Sequence, residues 1–357
     1  MLNNCTRNCL VCGKCLSFPI LTDFDEKLND NINFQPRDGY GIAIDIGTTT
    51  VVLALLDLSN GKVITRHNFI NPQRKFGPDV ISRIKAANDG FLDKLRGLIT
   101  ESLLKGFSEL LEFQKIQSNQ IIDICIAGNT TMIYLLLGFP CESLGCAPFK
   151  PSFNLAQQYN FNDIFSSQGF SCPVQIIPWF AAFVGGDIMA GLLHVLPRKK
   201  KRFLLIDLGT NGELVLYNDG KLTVTSTAAG SAFENINGST SENIRDLQLA
   251  KSAVRSGLEI ILEANNLLYK DLDIVYLAGG IGQVMDINYA VTIGLIPSEL
   301  KDKCFAIGNA SLGGAAYILF SPNVSDIEIK NLLSNFTEIN LAFHPDFNDY
   351  FIKYIDF

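Results

Sequence analysis

The stretch Gly41–Thr65, GIAIDIGTTTVVLALLDLSNGKVIT, recurs in Arg202–Ser226 as RFLLIDLGTNGELVLYNDGKLTVTS. Each copy has an apolar run, a glycine–threonine turn, a second apolar run, a glycine hairpin signal and a third run that favours strand. Each copy therefore predicts three consecutive antiparallel strands. A chance repeat of this length is improbable, so the sequence predicts an internal duplication. The matched pairs are Asp45 with Asp207, Gly47 with Gly209, Thr48 with Thr210, and Gly61 with Gly220.

Both copies place an aspartate two residues before the glycine of a tight turn. Glycine lets the backbone approach phosphate oxygens, while threonine hydroxyls and backbone N–H groups donate hydrogen bonds to them. Mg²⁺ usually keeps several waters, so two carboxylates can hold it through its hydration shell. The pattern predicts that Asp45 and Asp207 hold Mg²⁺ through water. The predicted phosphate-binding residues are Gly47, Thr48, Thr49 and Thr50 in the first copy, and Gly209, Thr210 and Asn211 in the second.

A third glycine motif, LAGGIG at Leu277–Gly282, ends an apolar run that predicts a buried strand. Its glycines Gly279, Gly280 and Gly282 would let an adenosine lie flat against the backbone. One such turn alone is a weak signal. Three glycine motifs in this order predict an ATP site.

Composition limits the classes of partner. The chain has 357 residues and a formal net charge of -7, which argues against a nucleic-acid backbone as partner. The apolar stretch Val174–Leu196 approaches membrane length, but it contains Asp187, Gly185, Gly186 and Pro178. A charge in hydrocarbon is costly, so this stretch predicts a core strand and a core helix. The N-terminus has no signal-peptide pattern, and we expect a cytoplasmic protein without membrane contact.

Four of the nine cysteines, Cys5, Cys9, Cys12 and Cys15, have the spacing C-x3-C-x2-C-x2-C. Four thiolates within eleven residues can surround one [4Fe–4S] cluster, although ferredoxins place the longer gap last and follow it with proline. Zinc bound by four thiolates is the alternative, since two-residue gaps suit zinc as well. Of the remaining cysteines, Cys141, Cys146 and Cys172 could form a second metal site, but we favour core or surface thiols there.

The chain is expected to divide into four parts. Residues 1–20 form a cysteine-rich iron–sulfur segment, and the polar residues 21–38 form a linker. Residues 39–200 form the first half of the body. Residues 201–357 form the second half with a C-terminal extension.

The three glycine motifs resemble those of the actin, sugar-kinase and heat-shock-chaperone (ASKHA) ATPase superfamily. The resemblance implies an α/β fold of two duplicated actin-like, ribonuclease-H-like ATPase domains with a cleft between them, here preceded by a short cysteine-rich segment. It also implies that Asp187, at the start of the first connecting helix, orients or activates the attacking water. The alternative is that Asp187 only caps that helix.

One branch of the superfamily is more similar: the reductive activators of corrinoid proteins. These iron–sulfur ATPases return an inactivated cobalt centre to its fully reduced state. The resemblance covers nearly all of residues 39–357 and favours iron–sulfur over zinc at the four N-terminal cysteines. It implies a corrinoid protein of a methyl-transfer system and a low-potential electron donor as partners, and a homodimer. The stretches that carry it include NPQRKFGPDVISRI, IAGNTTMIYLLLG, STAAGSAFE, QLAKSAVRSGLEIIL and HPDF.

The sequence departs from this branch in two places, and two other functions stay open. About 17 residues stand where larger members carry a ferredoxin-like domain, and the stretch after TAAGSAFE is shorter. A small-molecule kinase of the same superfamily is the first alternative, with Asp187 as its base. A zinc-stapled ATP-binding regulator is the second.

Overall fold

The computed structural model describes residues 33–153, 158–167, 169–228, 241–282 and 285–357. These residues belong to two compact units. Unit 1 comprises the chain up to His194 together with Ser311–Asp326, and unit 2 comprises Val195–Ala310 together with Ile327–Phe357. The predicted cysteine-rich segment, the first part of the predicted linker and most of the TAAGSAFE stretch lie outside the described residues.

The strands form one six-stranded sheet in each unit. In unit 1 they are β1 (Tyr40–Ile46), β2 (Thr50–Asp57), β3 (Lys62–Ile70), β4 (Ile121–Gly128), β5 (Tyr159–Asn160) and β6 (Pro173–Ile176). In unit 2 they are β7 (Arg202–Leu208), β8 (Gly212–Asn218), β9 (Lys221–Thr227), β10 (Ile274–Ala278), β11 (Cys304–Gly308) and β12 (Phe336–Glu338).

Five strands of each sheet repeat one topology, whereas the sixth strand differs: β5 pairs antiparallel with β6, and β12 pairs parallel with β9. In unit 1 the order is β3-β2-β1-β4-β6-β5, with an antiparallel β1–β2–β3 meander and β4 and β6 parallel to β1. In unit 2 the order is β11-β10-β7-β8-β9-β12, with the same meander and with β10 and β11 parallel to β7. The predicted duplicated α/β fold is therefore confirmed.

The register differs between the copies at the first turn and at the following hairpin, where four residues (58–61) separate the paired strands in unit 1 and two (219–220) in unit 2. Asp45 pairs with Val52 across the first turn, whereas Asp207 pairs with Glu213 across the second. Counted between the last paired residues, the first turn has four residues (47–50) and the second has three (209–211). On the other side, Asp45 and Asp207 lie beside Ala127 and Ala278 of the parallel strands β4 and β10. Both aspartates consequently lie at the carboxyl end of the central strand of their sheet.

The helices of the described residues connect and cover the sheets, and none of these helices is long and apolar enough to cross a membrane. They are α1 (Val80–Ala86), α2 (Leu92–Gln114), α3 (Thr130–Leu137), α4 (Glu142–Gly145), α5 (Phe161–Phe165), α6 (Gly186–Val195), α7 (Ser241–Ala264), α8 (Gly279–Gly282), α9 (Ile287–Thr292), α10 (Ala310–Phe320), α11 (Pro322–Ser334) and α12 (Phe347–Lys353).

Buried apolar side chains hold the central strands and the helices that cover them in place. The side chains of β1 are buried on both faces, as expected for a strand with layers on each side. On α2, Leu95, Ile99 and Leu103 recur at helical spacing and are fully buried in the core of unit 1. The apolar stretch Val174–Leu196 forms part of β6 and then α6, as its composition predicted.

Two peripheral segments are bound to the body. At the end of the predicted linker, Arg37 pairs with the buried Asp123 at 2.9 Å and donates to the Leu319 carbonyl oxygen at 2.7 Å. At the C-terminus, α12 packs on α7, where Ser252 and Lys251 donate to the carbonyl oxygens of Phe351 and Asp356.

Candidate functional site

The turn Gly47–Thr49 joins β1 to β2 in unit 1. The Gly47 N–H donates to the Thr50 carbonyl oxygen at 3.1 Å. A Cβ atom on Gly47 would lie 2.6 Å from that same oxygen, which is closer than real Cβ atoms approach. Glycine is therefore required to close this turn in the conformation observed.

The segment NPQRKFGPDVISRI holds the carbonyl groups of this turn. Asn71 is fully buried; its Nδ2 donates to the Gly47 carbonyl oxygen and its N–H donates to that of Thr49, both at 2.9 Å. Arg83 on α1 is also fully buried, and its Nη2 donates to the Thr48 carbonyl oxygen at 2.6 Å. All three carbonyl groups of the turn are thus fixed by this segment.

Asn129 connects the turn to α3. Its Nδ2 donates to Thr48 Oγ1 at 2.9 Å, and its Oδ1 accepts from the Met132 N–H at 3.0 Å, which caps α3. A Cβ atom on Gly185 would lie 2.5 Å from the Asn129 Cα and 2.7 Å from Asp187 Oδ1. Because Gly185 has no side chain, both the Asn129 backbone at the start of α3 and the Asp187 carboxylate can approach it.

Two carboxylates of unit 1 lie near this turn. Ser311, at the start of α10, donates from Oγ to Asp45 Oδ1 at 2.8 Å. Asp187 is partly exposed, and its Oδ1 accepts from the Ile188 N–H at 2.9 Å. The protein around the Asp187 carboxylate removes it from water, which disfavours its charged form, and repulsion from Asp45 adds to this effect. Together they raise the pKa of Asp187 to about 7. Asp187 can therefore exchange a proton near neutral pH, as a general base requires.

The raised pKa of Asp187 also links protonation to stability. The folded protein holds this proton more tightly than the unfolded chain, whose aspartates titrate near pH 4. The contribution of Asp187 to stability is therefore fully present below that pH and is lost as the pH rises through about 7. A charged Asp187 opposes folding at neutral pH, and such a cost is typical of a functional carboxylate.

The turn Gly209–Asn211 joins β7 to β8 in unit 2. The Gly209 N–H donates to the Asn211 carbonyl oxygen at 2.9 Å. A Cβ atom on Gly209 would have its nearest neighbour, the Asn211 carbonyl oxygen, 3.8 Å away, which is an ordinary contact. Among the described residues of unit 2, a side chain at position 209 would meet only ordinary contacts, so turn closure does not require glycine there. The turn is followed by Glu213, which is buried.

Gly279 brings the third glycine motif against Asp207. It follows β10 with φ +85°, and a Cβ atom on it would lie 2.5 Å from both Asp207 Oδ1 and the Leu208 carbonyl oxygen. Gly279 to Gly282 form α8, and Gly280 is exposed. The motif predicted to bind adenosine thus begins beside the aspartate predicted to hold Mg²⁺.

The structure gathers the predicted residues within each unit. In unit 1, Asp45 and Asp187 lie with the Gly47–Thr49 turn, and in unit 2, Asp207 and Gly209 lie with Gly279. Four contributors were not predicted from the sequence: Asn71, Arg83, Asn129 and Ser311. Three of these lie in NPQRKFGPDVISRI and IAGNTT, which the sequence marked as family-specific stretches without giving them a role.

The cysteines of the body do not form a metal site in the described residues. Cys141 and Cys172 are buried, and burial raises the pKa of each thiol to about 12, so both are protonated. Cys146 is exposed. The part of the chain that the structure describes contains no group of three or more His, Cys, Asp or Glu placed to hold a metal. Cys5, Cys9, Cys12 and Cys15 lie outside that part.

Comparison with known proteins agrees with this geometry. Residues 40–197 match the family described as the RACo middle region, and residues 201–240 and 237–357 match the C-terminal domain of RACo, the ASKHA domain. The chain is 28% identical to the corrinoid activation enzyme RamQ of Eubacterium limosum, over 88% of this chain and 70% of that protein. It is similar in structure to a reductive activator for a corrinoid, iron–sulfur protein, with a TM-score of 0.82 and 26% identity. That likeness covers 90% of this chain and 66% of the solved one, just under two thirds of its length.

Proposed function

Because the chain belongs to the RACo family, we propose that it is an ATP-dependent reductive activator, which returns an inactive cobalt(II) corrinoid protein to cobalt(I). The resemblance predicted from the sequence motifs is confirmed by this membership. The observation that carries the proposal is the match of both units to this family, together with an Asp–Gly turn at the same edge of each sheet.

The two turns suit the phosphates of ATP. When bound, Mg²⁺–ATP supplies a phosphoanhydride whose hydrolysis can drive an unfavourable step. Asp45 and Asp207 would hold the hydrated Mg²⁺, since each ends the central strand of its sheet next to a glycine turn. The space at Gly209 supports this fit, because no described residue of its own unit fills it. Thr48, Thr49, Thr50, Thr210 and Asn211 would donate hydrogen bonds to phosphate, and Gly280 and Gly282 would adjoin the adenosine.

Asp187 is proposed to take the proton of the attacking water. Its carboxylate lies beside Asp45 in unit 1 and has a pKa of about 7. At that pKa a sizeable fraction is ionised at neutral pH, and the ionised form is basic enough to accept a proton as water attacks. Capping alone explains less, because the backbone N–H groups that the carboxylate accepts from, those of Ile188 and of Asp187 itself, do not account for its position beside Asp45.

The four N-terminal cysteines are proposed to hold a [4Fe–4S] cluster, which supplies a one-electron carrier when bound. One electron from an external low-potential donor converts cobalt(II) to cobalt(I), while ATP and water give ADP and phosphate. Each ~59 mV of uphill gap for one electron costs about 1.4 kcal/mol, so a gap of a few hundred millivolts costs several kcal/mol. ATP hydrolysis can offset a gap of that size. A homodimer and a cytoplasmic location stay predictions.

Metal analysis of anaerobically purified protein, combined with ATP hydrolysis assays, tests the proposal. We expect about four irons and four sulfides per chain, a charge-transfer band that dithionite bleaches, and ATP hydrolysis that Asp207→Ala abolishes. Zinc without iron would instead favour the regulator. Phosphorylation of a sugar or carboxylic acid in a metabolite screen would favour the kinase. Unchanged ATP hydrolysis in Asp207→Ala would refute the assignment of Asp207.

A further inference from the structure

We infer that Arg83 supplies the positive charge that attracts the anionic phosphates to the Gly47–Thr49 turn, acting through the Thr48 peptide as a positioning residue. The inference rests on the proposed ATP function and adds to it a residue that does not itself contact the nucleotide.

In the part of the chain that the structure describes, the hydrogen bonds of Arg83 go to neutral groups. Nε donates to the Gly77 carbonyl oxygen at 3.0 Å, Nη1 to Met132 Sδ at 3.2 Å, and Nη2 to the Thr48 carbonyl oxygen at 2.6 Å. The side chain is fully buried. A buried guanidinium is costly unless an anion compensates its charge. Arg83 is thus a buried cation to which no carboxylate of the described residues is hydrogen-bonded.

The charge of Arg83 is present at neutral pH. Burial, followed by repulsion from Arg74, lowers its pKa to about 10, and attraction to Asp79 offsets part of this shift. The guanidinium therefore remains protonated. Asp79 caps α1 by accepting the Ser82 N–H at 2.8 Å, so its carboxylate offsets the Arg83 charge only from a distance.

Holding the turn does not require a charge. Asn71 holds the neighbouring carbonyl oxygen of Gly47 with a neutral amide at 2.9 Å, and it is just as buried as Arg83. A glutamine at position 83 could hold the Thr48 carbonyl in the same manner. Arginine reaches three acceptors where an amide has only two N–H donors, but all three acceptors are neutral, and none of them requires the charge that arginine adds.

The backbone of the turn orients the N–H groups of Thr48 and Thr49 away from Arg83, towards the side where phosphate is proposed to bind. In a trans peptide the C=O and the following N–H point in opposite directions. Since Asn71 holds the Gly47 carbonyl and Arg83 holds the Thr48 carbonyl, the N–H groups of Thr48 and Thr49 face away from these anchors. Two oriented N–H groups with a cation behind them form a local field that favours an anion.

Nucleotide titrations of the full chain test this inference, with Mg²⁺–ATP, Mg²⁺–ADP and AMP as probes. We expect Arg83→Gln to weaken Mg²⁺–ATP binding by on the order of tenfold, Mg²⁺–ADP binding less, and AMP binding least, because AMP lacks the β- and γ-phosphates that the turn is proposed to bind. Arg83→Lys keeps the charge and should stay within about threefold of wild type. Met132→Leu removes a hydrogen-bond partner of Arg83 but not its charge, and should leave all three affinities unchanged within about twofold.

A variant of opposite sign makes the test independent of whether Arg83→Gln folds. Asp79→Asn removes the carboxylate that offsets Arg83, and asparagine caps a helix as well as aspartate does. We expect it to tighten ATP by about two- to fivefold, and AMP by less. The inference is overturned if Asp79→Asn leaves ATP affinity unchanged, or if Arg83→Lys loses as much affinity as Arg83→Gln. A wild-type chain that binds no ATP would refute the proposed function itself, which is a different result.

Discussion

Replacing Gly209 by alanine separates phosphate binding from folding. In unit 2 the added methyl group would have its nearest neighbour 3.8 Å away, and the φ of Gly209 lies outside the left-handed region. Alanine at a compatible position stabilises by about 0.4–1 kcal/mol, because it restricts the unfolded chain. We therefore expect Gly209→Ala to be at least as stable as wild type.

The same methyl group should interfere with ATP. If phosphate oxygens approach the backbone at this turn, the Cβ atom takes the space they need. We expect at least a tenfold loss of Mg²⁺–ATP affinity, which corresponds to ~1.4 kcal/mol. Isothermal titration gives the affinity, and urea unfolding of the same sample gives the stability.

Gly220→Ala is the matched control in the same unit. Gly220 lies in the β8–β9 hairpin with φ +93° and has no atom within 4 Å of an added Cβ. The strained φ should cost about 1 kcal/mol of stability while ATP affinity stays at the wild-type value. The two variants thus predict opposite patterns. The reasoning fails if Gly209→Ala binds ATP as tightly as wild type, because no phosphate then approaches that backbone.

Three further predictions concern Asp187, Arg37 and Gly279. Asp187→Asn should lower the ATPase kcat by roughly 10²–10⁴-fold and abolish the rise of kcat as the pH passes through about 7. In thermal melts the variant should be more stable than wild type above pH 7 but not at pH 4. Arg37→Ala should lower the free energy of unfolding, measured with urea at pH 7, by about 2 kcal/mol, because it leaves the buried Asp123 carboxylate without its cation, and burial already raises the pKa of Asp123. The loss should be smaller in acid and in an Asp123→Asn background. An equal loss in that background would contradict the ion pair. Gly279→Ala should cost about 2 kcal/mol or more, since it combines a left-handed φ with a clash at Asp207; unfolding at the wild-type urea midpoint would contradict the packing.

Most of the fold could be predicted from local sequence patterns. The duplicated hairpin was predictable because its turn residues and apolar runs lie within 25 contiguous positions. Asp45, Asp207 and Gly279 could be named because strand ends and glycine turns mark them in the sequence. Asp187 was named from the superfamily resemblance, and its pKa could not be derived because it depends on Asp45 far along the chain.

The supporting residues could not be predicted from one sequence. Ser311 reaches Asp45 across 266 positions, and Asn129 reaches Thr48 across 81. From the sequence alone, Arg83 is indistinguishable from an exposed charge on an amphipathic helix; only the structure shows that it is buried. Gly47 and Gly209 occur in the same Asp-x-Gly-Thr pattern. Only the three-dimensional contacts show that Gly47 must be glycine whereas Gly209 has room for a side chain.

ATP-dependent reduction of a corrinoid protein tests the central claim most directly. The full chain, reconstituted anaerobically with iron and sulfide, is mixed with a low-potential reductant and a purified methyl-transfer corrinoid protein in the cobalt(II) state. Absorbance then follows the formation of cobalt(I) with ATP, without ATP, and with Asp207→Ala. We predict cobalt(I) only with wild-type protein and ATP. Equal cobalt(I) formation without ATP, or with Asp207→Ala, would contradict the account.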